Sequence, residues 1–412
     1  MELKINYQYT YFIYPFAVKT EKYNKYIISM LKNKSYHLKF FDSFKDIDLY
    51  NYFIPSIREK TFQDFTFSKE KINKFLKLSI SNQYKTLLEQ NCLIFEYGFE
   101  DAIQGKIQEK DGIFFQIQKI ELICFKTGIC FLLFKTNLEE TDNFSDLLNF
   151  NYKFSNLNLE NKKLNNINKI KIQTDIFSNM KEIPEIIKEI TGKKLDSKDL
   201  DIDDNMFLLY SYACIDSKCW NKDNDFENIK NEFIKFSNVL ESNTSVNVDY
   251  EKLTMTTNSS YMKLRINHKG SFLICSSTDK NNYTQIPNEY ENQYLYTYII
   301  ALHQRYYLKR LSKQFNSEKS TNKTMNKFID FTKDIWINEV TTEGLGQKIY
   351  KRCKEKLNLD ELYQEVKSKY DTFYKQSKVE KSIKQNKVII VIFVIALLLG
   401  LANLASWLFF EL

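Results

Sequence analysis

Histidine is the side chain best placed for acid–base or metal chemistry near neutral pH, and this chain has three, His37, His268 and His303. None stands beside a Cys, Asp or Ser in an arrangement that would make a nucleophile or a metal site. The phosphate-cradling P-loop and G-x-G-x-x-G signatures are absent from the sequence, as are H-E-x-x-H and G-x-S-x-G. No catalytic residue, metal ligand or cofactor is assigned. The strongest chemical grouping is Leu302-His-Gln-Arg305, followed by Arg310. His303, Arg305 and Arg310 could meet the phosphate of a small anionic, nucleotide-type ligand while nearby tyrosines stack on its base. The same stretch also fits a buried amphipathic helix with an internally satisfied histidine. Tyr290, Tyr294, Tyr298, Leu302 and Tyr306 recur at i+4 steps, which suits core packing better than stacking on a nucleic acid.

A second grouping is acidic. Asp196, Asp199, Asp201, Asp203 and Asp204 fall within a few residues. An EF-hand counted from Asp199 needs Gly where Asp204 stands and Glu where Tyr210 stands. The expectation is a solvated acidic turn. The 7 cysteines make no C-x-x-C pair, and the start of the chain reads as a strand rather than a secretory leader. Reduced thiols in a cytosolic domain are expected, several of them packed as small hydrophobes.

The elements that position these residues are read from periodicity. Over 412 residues, 43% hydrophobic and 15% aromatic content supplies an ample core, whereas 9 Gly and 4 Pro leave little for phosphate loops. The net charge of +7 is mild and carries no strong nucleic-acid signal. Strands are expected over Ile5–Val18, Tyr36–Phe41, Cys92–Phe99 and Met206–Ile215, with shorter ones between Val246 and Ser276. Helices are expected over Glu21–Asn33, Phe75–Leu88, Asp146–Phe154, Thr174–Thr191 and Asn224–Leu240, and Leu157–Asn168 reads as a loop. The clearest hairpin joins Ile113–Phe125 to Ile129–Thr136 through Lys126-Thr-Gly128, and its apolar return strand is expected to be the more central. From Glu289 the pattern turns helical. Glu289–Phe315 and Lys323–Glu339 are followed by a break at Glu343-Gly-Leu-Gly346 and a third helix from Leu359.

That third helix continues without Pro or Gly into Val388–Phe410, an uncharged run. At about 1.5 Å per residue the run covers roughly 34 Å, enough for a hydrocarbon core of about 30 Å. Lys375, Lys378, Lys381, Lys384 and Lys387 precede it and can touch anionic headgroups. The positive-inside rule then puts the soluble part in the cytoplasm, as a single-pass protein of the plasma (inner) membrane. Gly400, Asn403 and Trp407 share a face suited to association between copies, although one anchor also tolerates an Asn near the interface. The expected architecture is an α+β cytoplasmic domain with a mixed or antiparallel sheet (1–288, with a break near 157–170), a helical region (289–387) and one C-terminal transmembrane helix (388–410).

This layout resembles the CorA-like membrane proteins, in which a cytoplasmic α/β domain precedes long helices, the last running into the membrane. The residues carrying the likeness are the hairpin Lys119–Phe134, the segment Asp146–Tyr152, the helix around Leu302-His-Gln-Arg305 and the basic helix ending at Lys387. It is most similar to members that accompany type III CRISPR defence, where the resemblance implies a nucleotide messenger switching a membrane effector. The Gly-Met-Asn signature and second membrane helix of the metal transporters have no counterpart here, so the resemblance implies neither their ion filter nor divalent-metal transport. The expected function is a homo-oligomeric effector that binds an anionic ligand and opens or perturbs the membrane in antiviral defence. Two alternatives stand beside it: a tethered scaffold with a passive anchor, and a tethered enzyme such as a nuclease.

Overall fold

The computed structural model describes residues 2–41, 46–60, 68–98, 103–107, 113–139, 141–156, 171–174, 177–192, 200, 206–222, 225–246, 261–317 and 322–410. The aspartates of the acidic run (Asp196, Asp199, Asp201, Asp203 and Asp204) and the expected loop Leu157–Asn168 lie outside these residues.

Alternating apolar residues build the first strand, β1 (Ile5–Ala17). Its odd-numbered side chains Tyr9, Tyr11 and Ile13 join one core cluster, and Phe12, Tyr14 and Phe16 join another. A strand buried on both faces must lie inside a sheet with helices above and below it. Helix α1 (Tyr23–Lys32) and the short β2 (Tyr36–Leu38) come next, then α2 (Ile47–Tyr52) and α3 (Pro55–Lys60). The single helix expected over Phe75–Leu88 is two, α4 (Lys69–Leu76) and α5 (Ile80–Leu87). The break falls at Ser79, whose hydroxyl accepts from Asn82 N and starts a new helix.

Strands β3 (Cys92–Tyr97) and β4 (Ile103–Ile107) pair with opposite halves of β5 (Ile113–Phe125). The expected hairpin returns along β6 (Ile129–Leu138), which lies between β5 and β1. Helix α6 (Phe144–Ser155) packs its phenylalanines under β1. Of the helix expected over Thr174–Thr191, the second half is present as α7 (Ile183–Thr191), whereas the described residues of the first half belong to a hairpin of β7 (Lys171–Thr174) with β8 (Phe177–Glu182). Pro184 explains the late start. It fits a first turn, where no backbone N–H is needed, and breaks a helix interior. Strand β9 (Leu208–Ile215), helix α8 (Phe226–Asn238) and the hairpin β10 (Met262–Asn267) with β11 (Gly270–Ser276) complete the sheet.

The strand order is β10-β11-β9-β1-β6-β5-β4-β7-β8, with β3 also on β5 and β2 on β3. Pairing is antiparallel except between β9 and β11, so the sheet is mixed. One face carries α1, α6, α7 and α8. The other carries the helices that follow the sheet in sequence: α9 (Asn281–Thr284), α10 (Ile286–Glu289), a π-helical turn over Tyr290–Tyr294 and α11 (Leu295–Phe315). Then α12 (Asn322–Asp330) runs into a second π-helical turn, Phe331–Ile335, and α13 (Gly344–Lys356) starts where the Gly-rich break is expected, with the Glu343 side chain capping Gly346 N. Asn358, with φ 53°, turns the chain into α14 (Leu359–Phe410), a single helix of 52 residues. The protein is thus an α+β domain with a mixed sheet, followed by long helices and one long apolar C-terminal helix.

Candidate functional site

Helix α11 is held face-down on the sheet by aromatic rings. Tyr290, in the turn leading into it, stacks on Tyr210 of β9 at 4.1 Å between ring centroids, and His303 stacks on Phe125 of β5 at 3.9 Å with 8° between planes. The β5–β6 turn closes on the same helix. Gly128 takes φ 83°, which L side chains resist, and a Cβ there would meet the Val18 carbonyl oxygen at 2.2 Å. The tight turn points Thr127 at α11. Its carbonyl accepts from Arg310 Nη1 at 2.7 Å, and its hydroxyl lies 2.9 Å from His303 Nε2. The hairpin and the His/Arg helix, separate features of the sequence, therefore meet at one place.

Beside this junction lies a cavity of about 440 Å³. Phe125, Tyr307 and Leu311 give it an apolar wall, and the second π-helical turn contributes Asp334 and Ile335. Lys126, Arg310 and Lys327 supply positive charge against Asp330 and Asp334. His303 lines the cavity but brings no charge. Burial and then the Arg310 guanidinium push its pKa down to about 3, so the ring is neutral at physiological pH. Arg310 is 8% exposed and Tyr307, which stacks on Phe331 at 5.3 Å, is 9% exposed. Arg305 is elsewhere. Its guanidinium donates to the Leu357 carbonyl at 2.6 Å, bracing the corner between α13 and α14. Of the three residues read from the sequence, the structure brings His303 and Arg310 together at the cavity and sends Arg305 to the corner of α14.

No family model, curated protein or solved structure matches this chain. The cavity's lining has its own chemistry. Three cations, two carboxylates and an apolar wall suit a small ligand that combines an anionic group, hydrogen-bond donors and a flat apolar part.

The start of α14 belongs to the domain. Val366 is buried, Phe373 packs on Phe315 of α11 at 5.6 Å, and Tyr363 stacks on Trp336 at 4.5 Å. Ser312 of α11 donates to Glu365 at 2.7 Å, and Lys369 donates to both at 2.8 and 2.6 Å. Beyond Phe373 the helix leaves the domain. Lys375, Lys378, Lys381, Lys384 and Lys387 are exposed, and so are the apolar residues from Val388 to Ala402. An 18-residue window there has mean hydropathy 2.3, with none of it buried, so α14 is long and apolar enough to cross a membrane by length and composition. Gly400 and Asn403 sit on this segment, with Trp407 further along the same helix.

Two charged clusters beneath the start of α11 escape sequence reading. Glu121 of β5, 2% exposed, takes Lys119 at 2.9 Å and Lys39 at 3.1 Å, and Glu96 lies 3.6 and 3.7 Å from the same two ammonium groups. Lys135 bonds both oxygens of Glu291 at 2.7 Å, and the Tyr11 hydroxyl joins them. The alternation Gln116-Ile-Gln-Lys-Ile-Glu121 looks like a solvent-facing row, but the π-helical turn and α11 cover its end. Burial alone would raise the Glu121 carboxyl. Lys119 and Lys39 outweigh burial and hold it at about 2. No group of three or more His, Cys, Asp or Glu is placed to hold a metal among the described residues. Cys92, Cys124, Cys130, Cys214, Cys275 and Cys353 are free and buried, as small hydrophobes would be.

Proposed function

We propose that this protein is a ligand-responsive membrane effector of CorA-like layout. Its soluble domain takes a small anionic, nucleotide-type ligand beside α11, and its apolar helix, clustered with other copies, opens or perturbs a bilayer. One observation carries this reading. Helix α11 lines the cavity with His303, Tyr307 and Arg310, and the same helix grips α14 through Ser312 and Phe315. A ligand that shifts α11 acts on a rigid rod that continues as the apolar segment, since α14 is unbroken from Leu359 to Phe410. Helices with two packed arrangements are the usual carriers of such coupling.

The lysines before the apolar run favour a cytoplasmic soluble domain in a plasma (inner) membrane. The likeness to type III CRISPR-associated members makes a nucleotide messenger and antiviral defence the first biological setting to test. A nuclease would need carboxylates open to a phosphodiester. The paired Glu96 and Glu121 do not serve, because Glu121 lies buried under α11 with two lysines already bound to it.

The test is dye release from vesicles carrying the full-length protein, with ATP and with cyclic and linear oligoadenylates as probes. Release that depends on a nucleotide, and is lost in Arg310→Met, supports the reading. Release without any nucleotide, or none with every probe while binding is measurable, counts against it. An unrelated apolar helix in place of 388–410 that leaves the response intact makes the anchor passive.

A further inference from the structure

The basic stretch between the domain and the apolar run does not present lysine on every side. At about 100° per residue, lysines three apart step back by about 60°, so five of them sweep roughly 240° and leave a sector of about 120°. That sector holds Val379, Ile383 and Asn386, with Gln376 near its edge. Val379 is 57% exposed and Ile383 49%, on a helix that has already left the domain. These three positions advance by four and then three residues, and the same alternation leads on to Ile390, Phe393, Leu397 and Gly400. One stripe therefore crosses from the water-facing stretch into the apolar run without changing register.

We propose that this stripe is the seam along which copies of this chain pair. The proposal rests on the reading of 388–410 as a membrane segment and says where its clustering begins. A partner that covers the stripe must itself run from water into the bilayer at the same height. The membrane holds every copy of this chain in that orientation, so an identical stripe always faces across. Charge excludes the other faces, since pairing through any of them sets lysine against lysine. Asn386 has both a donor and an acceptor, so it can bond its own counterpart in a parallel seam and fix the register. The span from Tyr374 to Lys387 is about 21 Å of helix with no support from the domain, and helical stretches of about 12–15 residues are marginal in water unless packed.

The experiment is site-directed crosslinking of the full-length protein in lipid vesicles. Val379→Cys and Ile383→Cys lie on the seam, and Lys381→Cys lies opposite. The native thiols are a mild background, as Cys219 is the partly exposed one among otherwise buried cysteines. The expected result is a covalent dimer from the two seam positions in large excess over Lys381→Cys and over the unsubstituted chain. Light scattering of Ile383→Lys in detergent should show a drop in mass to the single chain. Equal crosslinking at all three positions, or through Lys381→Cys alone, overturns the seam while leaving an oligomeric effector standing. A native protein that is monomeric in both detergent and vesicles overturns the seam and the effector reading together.

Discussion

The His303 imidazole lies flat on the Phe125 ring, 3.9 Å between centroids and 8° between planes. Protonation would place a charge in this closed stack with Arg310 close by. The folded state therefore keeps His303 neutral down to about pH 3, against 6.5 for the free side chain. Between those values the unfolded chain binds a proton that the folded one refuses, so His303 contributes stability that is full above about pH 6.5 and lost as pH falls towards 3. The contribution is on the order of a few kcal/mol. Thermal melts of the wild type and His303→Gln at pH 7.5 and pH 4.5 check this. The gap between the two proteins should narrow at the lower pH, and a constant gap contradicts the assignment.

The Glu121 carboxylate makes a sharper case for pairing. With Lys39 and Lys119 on it, neutralising it leaves two ammonium groups under α11 with only the longer carboxylate contacts to Glu96, at 3.7 and 3.6 Å. Glu121→Gln should cost about 3–5 kcal/mol, as expected when one member of a buried ion cluster is removed. Its pKa is depressed, so the stability it gives is present above about pH 4.5 and fades as pH falls through about 2. Replacing the group by apolar residues (Glu121→Leu with Lys39→Met and Lys119→Met) should recover much of the loss in a denaturant titration. A triple variant no better than Glu121→Gln would show that the cost is not electrostatic.

Backbone geometry makes the third prediction. Gly128 sits at φ 83° with no room for a Cβ beside the Val18 carbonyl. Gly128→Ala should destabilise by about 1–3 kcal/mol. Because Thr127 precedes it, the change should also loosen the contacts to His303 and Arg310. Melting temperature reads the first effect, and affinity for the proposed nucleotide-type ligand the second. An Ala variant with native stability would mean the turn can relax, and the shape of the cavity would then not depend on it.

How far the sequence foretells this depends on how local each signal is. The β5–β6 hairpin, α11 and α14 were legible because their periods and turn residues are unambiguous over a dozen residues or more. The hairpin β7–β8 was not, since a short edge pairing leaves only a weak local trace and Pro184 was the one sign against a longer helix. Ser79 is not legible as a cap, because apolar spacing on both sides of it fits one helix as well as two. The buried state of Glu121 depends on α11 lying over β5, a contact between residues some 170 positions apart that no local pattern encodes. His303 and Arg310 stand out in the sequence as polar residues in an apolar helix. Thr127, which joins them, carries no local signal beyond its place in a turn.

The last prediction separates binding from transmission. Ser312, Glu365 and Lys369 link the cavity helix to α14 from outside the cavity. The link is partly exposed, so breaking it should cost no more than about 1 kcal/mol of stability. In the proposed mechanism its value lies in making α14 follow α11. Ser312→Ala with Glu365→Gln should therefore keep nucleotide affinity within a few-fold of the wild type and lower ligand-dependent dye release. Arg310→Met should lose both together, because its guanidinium is part of the cavity wall. Arg305→Ala provides a third pattern: it leaves the cavity lining alone but frees the Leu357 carbonyl at the α13–α14 corner, so it should keep binding and lose release. If all three variants changed binding and release in parallel, α11 would not be a transmitter. The cavity and the apolar helix would then be two independent properties of one chain.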